Sequence, residues 1–291
     1  MRFEQSHNTP QRAVPEGLLA QKQLAEDARL ARAHRDAKKI LNSSEHRISM
    51  EEFITDERTK REVEEDIRFT EEKRLEFAKH DTLQQKEAFV LAEIFEAILL
   101  TEGKESGWLG ENVRLLKASD YDDIVNRTDL IAEWHGTNAH SLGLAVDVTF
   151  GPSTLERKFQ HLQEDIDSGR LGKLKYAYKE QTTVPRVVIG MSRETVQELI
   201  DLWLDEDFAT LRDHPIQRVL LDQIVDQLRY IAGYARTHGK GHLADVYERS
   251  LGPLRKVLNS KSHIRPDATQ NDSVSAGIKA QLDKRFSVQK H

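Results

Sequence analysis

The chain contains no cysteine among its 291 residues. This absence excludes a disulfide framework, a thiolate nucleophile and any zinc or iron–sulfur site with cysteine ligands, and it fits a reducing compartment. Long apolar runs are missing too, and none approaches the roughly 20 residues that cross a bilayer. The first ten residues lack the apolar core of a secretory signal. We therefore expect a cytoplasmic protein that does not enter a membrane.

The charge balance is acidic. Charged residues make up 32% of the chain and hydrophobic residues 38%, which predicts solvated helices around a compact core. The formal net charge is −6. Proteins that grip long stretches of duplex DNA usually carry excess positive charge, so this balance counts against that role. A net negative charge is still compatible with a small basic groove on an otherwise acidic protein.

Composition and apolar periodicity divide the chain into four segments. Residues 1–82 predict a charged helical arm, and residues 83–212 predict an α/β core. Residues 213–260 predict amphipathic C-terminal helices. The polar residues 261–291 predict a disordered tail with at most a transient helix.

The arm has only a thin apolar stripe on helices that are predicted to end near Leu41 and His80. We therefore expect solvated helices outside the core, arranged as a hairpin, whose removal costs the core little stability. The alternative is a dimerising coiled coil, although the arm has no sustained heptad repeat. In either arrangement these helices are candidates for binding a protein partner or a second copy of the chain.

The core segment predicts the order helix, strand, strand, strand, helix, strand. Its first helix has a dense apolar face, and its third strand is apolar on both faces, as in a sheet covered on both sides. The predicted helices lie near residues 83–103 and 155–166, and the predicted strands span residues 113–117, 129–134, 142–150 and 184–190.

Three acidic residues occupy notable positions in this order. Glu96, or alternatively Glu93, lies on the first helix, Asp129 begins the second strand, and Asp147 lies inside the third. A carboxylate between apolar strand residues is costly unless it is paired or binds a metal. Two strand carboxylates and a helix glutamate can together hold Mg²⁺ or Mn²⁺, which prefer oxygen ligands. Such an ion can activate water and offset charge on a phosphate.

This arrangement resembles the PD-(D/E)xK nuclease superfamily, which has a restriction-endonuclease-like αβββαβ core. Thr128-Asp129 stands where that family has Pro-Asp, and Asp147-Val148-Thr149 stands where it has the (D/E)-x-K triplet. Glu96 stands for the helix glutamate. The resemblance covers about 120 residues and rests on short motifs. It implies a metal site at Glu96, Asp129 and Asp147.

The sequence departs from the family at the triplet lysine, where Thr149 stands. The family lysine helps to position and activate the attacking water, and threonine carries no charge to replace it. Lys158, on the following helix beside Arg157, is the candidate substitute. The other outcome is a degenerate site that does not cut.

Weaker signals have ordinary structural explanations beside the functional ones. Residues 120–123 form an acidic turn that has the chemistry of a cation site, and His135, His140 and His161 have that of a zinc site. Residues 173–178 interleave lysine and tyrosine, a pattern that contacts and stacks on nucleic acid when it is exposed. For all three we expect a solvated turn, loop or edge strand.

Two functions follow from the sequence. The first is a nucleic-acid-processing enzyme that hydrolyses phosphodiesters with a metal, using Glu96, Asp129, Asp147 and Lys158. The alternative is a non-catalytic protein that binds nucleic acid or a partner, with a degenerate nuclease-like core and a helical arm. The missing triplet lysine and the acidic net charge favour the alternative, and the three well-placed acids favour the enzyme.

Overall fold

The protein is mixed α/β and rich in helix, with one small mixed sheet. The computed structural model describes residues 16–80, 82–135, 142–150, 152–177, 182–265 and 272–287. The helices are α1 (Glu16–Leu41), α2 (Glu57–His80), α3 (Leu83–Glu105), α4 (Asp120–Ile124), α5 (Pro152–Asp167), α6 (Arg193–Leu204), α7 (Phe208–Arg212), α8 (Ile216–Thr237), α9 (Gly241–Ser260) and α10 (Ser273–Phe286). The strands are β1 (Val113–Lys117), β2 (Leu130–Trp134), β3 (Leu142–Phe150), β4 (Gly172–Leu174), β5 (Thr182–Val184) and β6 (Arg186–Met191).

The elements α3, β1, β2, β3, α5 and β6 follow one another in the expected order, with α4 and the β4–β5 pair inserted. The sheet has the strand order β1-β2-β3-β6. Strands β1, β2 and β3 are antiparallel neighbours, whereas β6 runs parallel to β3 after the crossover through α5. Helices α3, α5, α8 and α10 all contact strands of this sheet. This cover explains why the described side chains of β3 and all those of β6 are buried.

The arm packs into the core, so the expectation that it lies outside is wrong. Helix α1 lies against α3 and α6. Its residues Ala33, Ala37 and Leu41 are at most 5% exposed and belong to the apolar cluster that includes the sheet. Alanines spaced by four let two helices approach closely, yet they add little to a count of large apolar residues. Because most other residues of α1 are polar or charged, the sequence did not reveal this contact.

The polar tail also contributes to the core, and its predicted disorder is wrong for residues 272–287. Helix α10 contacts α5, α8 and β6. It buries four apolar side chains at intervals of four residues, which form one stripe along the helix. These are Val274, Ile278, Leu282 and Phe286. Helix α9 ends at Ser260, where the segment of predicted C-terminal helices ends.

No helix within the described ranges combines the length and the apolar character that a membrane crossing needs.

Two glutamines of α8 close the free edge of the sheet at β6. Gln227 accepts a hydrogen bond from the Val188 N–H at 2.8 Å and donates one to the Val188 carbonyl at 2.6 Å. Gln223, one turn earlier, does the same at Gly190, at 3.1 and 2.9 Å. An amide side chain offers the same donor and acceptor as a backbone peptide, so these glutamines take the place of a further strand.

The hydroxyl of Tyr247 on α9 extends this closure to Arg186, with 3.3 Å to its backbone nitrogen and 3.4 Å to its carbonyl oxygen. Alternate residues along β6 are therefore satisfied by side chains from α8 and α9. This arrangement fixes α8 and α9 against the sheet.

We expect Ala37→Glu to destabilise the fold by about 3 kcal/mol or more, because it forces an unpaired charge into the α1–α3 contact. Ala31 lies on the exposed side of the same helix. Ala31→Glu should therefore stay within about 0.5 kcal/mol of the unaltered protein. Urea unfolding followed by circular dichroism measures both, and equal stability of the two variants would contradict packing of the arm.

We expect Gln227→Leu to lower the free energy of unfolding by about 2–5 kcal/mol, because it leaves a buried N–H and a buried carbonyl of β6 unpaired. Gln160 on α5 is exposed and bonds only within its own helix among the contacts described. Gln160→Leu is the matched control and should change stability little. A Gln227→Leu variant as stable as the control, in the same urea titration, would show that the edge is satisfied in another way.

Candidate active site

Glu96 enters the site from α3, whose neighbouring residues are apolar and buried. Its side chain is turned towards the sheet and the residue is 5% exposed. Its Oε2 atom lies 2.8 Å from Nζ of Lys117, at the end of β1. This ion pair supplies the positive charge that partly offsets the burial of the Glu96 carboxylate. Glu93, the alternative candidate, instead lies 2.5 Å from His34 of α1.

Lys117 joins Glu96 to a further carboxylate, that of Asp123 in α4. Nζ of Lys117 donates to Asp123 Oδ2 at 3.0 Å. Ser119 caps α4 and thereby orients this short helix at the end of β1. Lys117 was not predicted from the sequence as a site residue, and Asp123 was only a weak candidate within the acidic turn. The available signals were a lysine ending an apolar strand and an acidic turn following it.

Asp129 and Asp147 lie side by side on neighbouring strands. The backbone N–H of Asp129 donates to the Val146 carbonyl at 2.9 Å, and its Oδ2 atom accepts from the Val148 N–H at 2.6 Å. Asp129 therefore bonds to the residues on either side of Asp147. Asp147 itself is 6% exposed within β3.

Lys158 reaches this pair from α5. Its Nζ atom donates to Asp147 and, at 2.7 Å, to the Val148 carbonyl. Thr149 is buried on the same side of β3 as Asp147, because side chains two apart share a face of a strand. Its hydroxyl contacts that of Thr154. The ammonium group that Thr149 lacks is thus supplied next to Asp147 by Lys158.

Six charged side chains from six parts of the fold form what we call the acid–lysine cluster. They are Glu96, Lys117, Asp123, Asp129, Asp147 and Lys158. All four site residues predicted from the sequence belong to it. With every group ionised, its four carboxylates and two ammonium groups leave a net charge of −2, the complement of one divalent cation.

The environment separates the proton affinities of these carboxylates. Burial, together with the carboxylates of Asp123, Glu96 and Asp147, raises the pKa of Asp129 well above its ordinary range, against the pull of Lys158. Burial also raises the pKa of Glu96, which Lys117 only partly offsets. Burial would raise the pKa of Asp123 as well, but Lys117 outweighs it and the pKa is lowered.

The two lysines stay charged in this setting. Burial opposes the charge on Lys117, but the carboxylates of Asp123 and Glu96 outweigh it and raise the pKa of the ammonium group. The same balance, with Asp147 as the main partner, raises the pKa of Lys158. The two lysines and Asp123 are therefore ions that hold one another and Asp147 in place.

The donor chemistry of the cluster fits Mg²⁺ or Mn²⁺, since its ligands would be carboxylate oxygens and its four carboxylates outnumber its two ammonium groups. Within the same part of the chain, no three histidine, aspartate or glutamate side chains are grouped tightly enough to hold one ion as they stand. The ammonium groups of Lys117 and Lys158 lie between the carboxylates, and a bound cation would share these oxygens with them.

The remaining sequence candidates have structural partners. Asp122 of the acidic turn accepts from the backbone N–H groups of Lys175 and Tyr176, at 2.7 and 2.9 Å. Lys175 and Tyr176 in turn bind Asp66 of α2, and Lys175 lies 4.6 Å from the ring of Tyr121. This basic and aromatic stretch ties the arm to the core.

Of the histidines, His135 follows β2 and lies 3.8 Å from Glu133, and His161 lies on α5. His140 lies outside the described residues, as does Tyr178 at the end of the lysine and tyrosine stretch.

No protein-family model, curated protein or solved structure matches the chain.

We expect Asp129→Asn to stabilise the protein at pH 7 in EDTA. Because the pKa of Asp129 is raised in the folded state, stability is lost as pH rises above the ordinary aspartate value of about 3.9. Asparagine keeps an oxygen for the Val148 N–H and carries no charge. The gain should shrink as pH falls towards 4, as measured by urea unfolding across this range.

Asp245→Asn is the control for this experiment, because Asp245 is exposed on α9. If Asp129→Asn were less stable than this control at pH 7, the raised pKa of Asp129 in the folded protein would be contradicted.

Proposed function

We propose that the protein is a PD-(D/E)xK-like phosphodiesterase that hydrolyses nucleic acid with the help of Mg²⁺ or Mn²⁺. The observation that carries the proposal is the meeting of Glu96, Asp129, Asp147 and Lys158 in one buried cluster. These residues are far apart in the sequence and were selected for their positions in the family pattern.

The topology supports the finer assignment to a restriction-endonuclease-like core. Three antiparallel strands follow α3, and α5 then carries the chain to β6, parallel to β3. Asp129 directly precedes the second strand and Asp147 lies in the third strand next to it, at the positions where the family pattern has its acids. Lys158 stands on the crossover helix directly after them.

In this function Glu96, Asp129 and Asp147 would hold the metal ion. When bound, the ion would lower the pKa of a water molecule and stabilise the charge that develops on the phosphate. Lys158 holds Asp147 and the Val148 carbonyl, so its ammonium group is positioned at the same oxygens. In that position it orients a water molecule and neutralises charge on a phosphate oxygen.

The second candidate is a non-catalytic binding protein, and two observations favour it. Lysine ammonium groups already pair Asp147, Glu96 and Asp123. Large apolar side chains are also exposed on α2 and near the start of α3, as a partner-binding surface requires. Five of these are Phe69, Leu75, Phe77, Leu83 and Phe89, which are between 42% and 86% exposed.

We expect the purified protein to cut labelled DNA or RNA with Mg²⁺ or Mn²⁺ and to stop with EDTA. Asp147→Asn removes a ligand charge and should lower the rate at least about 100-fold, and Lys158→Ala should lower it comparably. Thr149→Lys restores the family residue and should preserve or raise the rate. Gel assays on single-stranded and double-stranded substrates measure all three.

Asp245→Asn is again the control and should leave the rate unchanged. Metal binding is read separately as a rise in melting temperature on adding Mg²⁺, which Asp147→Asn should reduce. No cleavage by the unaltered protein or by Thr149→Lys, across both metals and all substrates, would remove the enzyme and leave the binding protein.

A further inference from the structure

A cavity of about 290 Å³ lies between the turn before β2, the end of α5 and the start of β6. A single buried water needs only about 10–15 Å³ of such volume, so a hydrated polyatomic ion has room. The charged residues that line it are Arg127, Glu164, Asp165, Arg170, Lys173 and Arg186.

The lining is positively charged. Four cationic side chains face two carboxylates, which leaves a net charge of +2. The carboxylate of Asp165 is already held by Arg170 and by Arg186, each at 3.0 Å. Glu164 is the remaining acid, and its Oε1 accepts a hydrogen bond from Gln160. Positive charge in the cavity is therefore in excess of its internal partners.

Arg186 has an unused donor in this lining. The residue is 7% exposed, and its guanidinium group binds Asp165 and, at 2.5 Å, the carbonyl of Asn126. Its Nε atom is buried and has no hydrogen-bond partner among the described residues. The buried guanidinium group of Arg186 is thus held in a fixed position at the wall of the cavity.

The cavity is tied to the acid–lysine cluster along two segments. Arg127, which has a left-handed φ of 56°, stands two residues before Asp129. On α5, Asp165 follows Lys158 by seven residues, or roughly 10 Å along the helix axis. That separation corresponds to about three nucleotides of a helical strand, at roughly 3.4 Å per nucleotide.

We propose that this cavity binds a phosphate group. Guanidinium groups donate to phosphate oxygens in pairs, and a phosphate diester or monoester matches the excess positive charge. The source of the phosphate rests on the proposed function: it is a neighbouring linkage of the same nucleic-acid strand that meets the acid–lysine cluster. The cavity then anchors the strand while the cluster acts on a bond nearby.

The test is binding in EDTA, which separates anchoring from cleavage. The probes are inorganic phosphate, followed by the change in melting temperature, and a fluorescent 12-nucleotide single strand, followed by anisotropy. The variant is Arg127→Asn with Arg170→Gln, since both arginines are exposed and asparagine tolerates the left-handed backbone. Lys173→Gln is a second variant at an exposed site, and Arg255→Gln on α9 is the control.

We expect the double variant to weaken binding of both probes at least about tenfold. The slope of log affinity against log salt should fall by about 0.7 for each phosphate of the single strand that the variant no longer neutralises. Lys173→Gln should show a smaller decrease in affinity for both probes, and Arg255→Gln should bind as the unaltered protein does. Unchanged binding in the double variant and in Lys173→Gln would overturn the site.

The two proposals fail in different ways. Loss of binding in the double variant, from a protein that cuts nothing with Mg²⁺ or Mn²⁺, supports the phosphate site and removes the enzyme. Binding of inorganic phosphate without binding of the strand overturns the strand as its source. Binding of neither probe by the unaltered protein overturns the cavity proposal even if the protein cuts nucleic acid.

Discussion

The structure depends on keeping charged groups buried together between α3, the sheet and α5. A single carboxylate in this position would be costly, because the interior solvates an ion far less well than water does. Lys117 and Lys158 offset that cost by pairing with Glu96, Asp123 and Asp147. The offset is incomplete at Asp129, where burial and, to a lesser extent, the neighbouring carboxylates raise the pKa.

The rest of the fold holds this cluster in register. The sheet supplies Lys117, Asp129 and Asp147, and a sheet whose free edge is unprotected is open to further pairing. Gln223, Gln227 and Tyr247 prevent this by satisfying β6 from α8 and α9. On the other side, α1 supports α3 through small residues, so that the helix carrying Glu96 has a fixed position. Helix α1 of the charged arm therefore helps to position the candidate site.

The elements with strong periodic patterns were predictable. The bounds of β1 and β3 match the expected segments, because dense apolar runs leave few alternatives. Burial of α1 and α10 was not predictable with the same rules, because each uses a single stripe of residues four apart in a polar sequence. Whether such a stripe is buried depends on whether another part of the fold packs against it, and the sequence pattern alone does not show this.

For the candidate site, the sequence by itself determined which residues need an explanation. The sequence shows a carboxylate inside an apolar strand, at Asp147, and an acid next to the neighbouring strand, at Asp129. It also shows Thr149 at the position where the resembled pattern has a lysine. Only the tertiary structure decided that Glu96 rather than Glu93 faces the sheet, that Lys158 reaches Asp147, and that Lys117 and Asp123 complete the cluster. The physical reason is that pairing of buried charges depends on distances between side chains from separate elements, and these distances are set by packing.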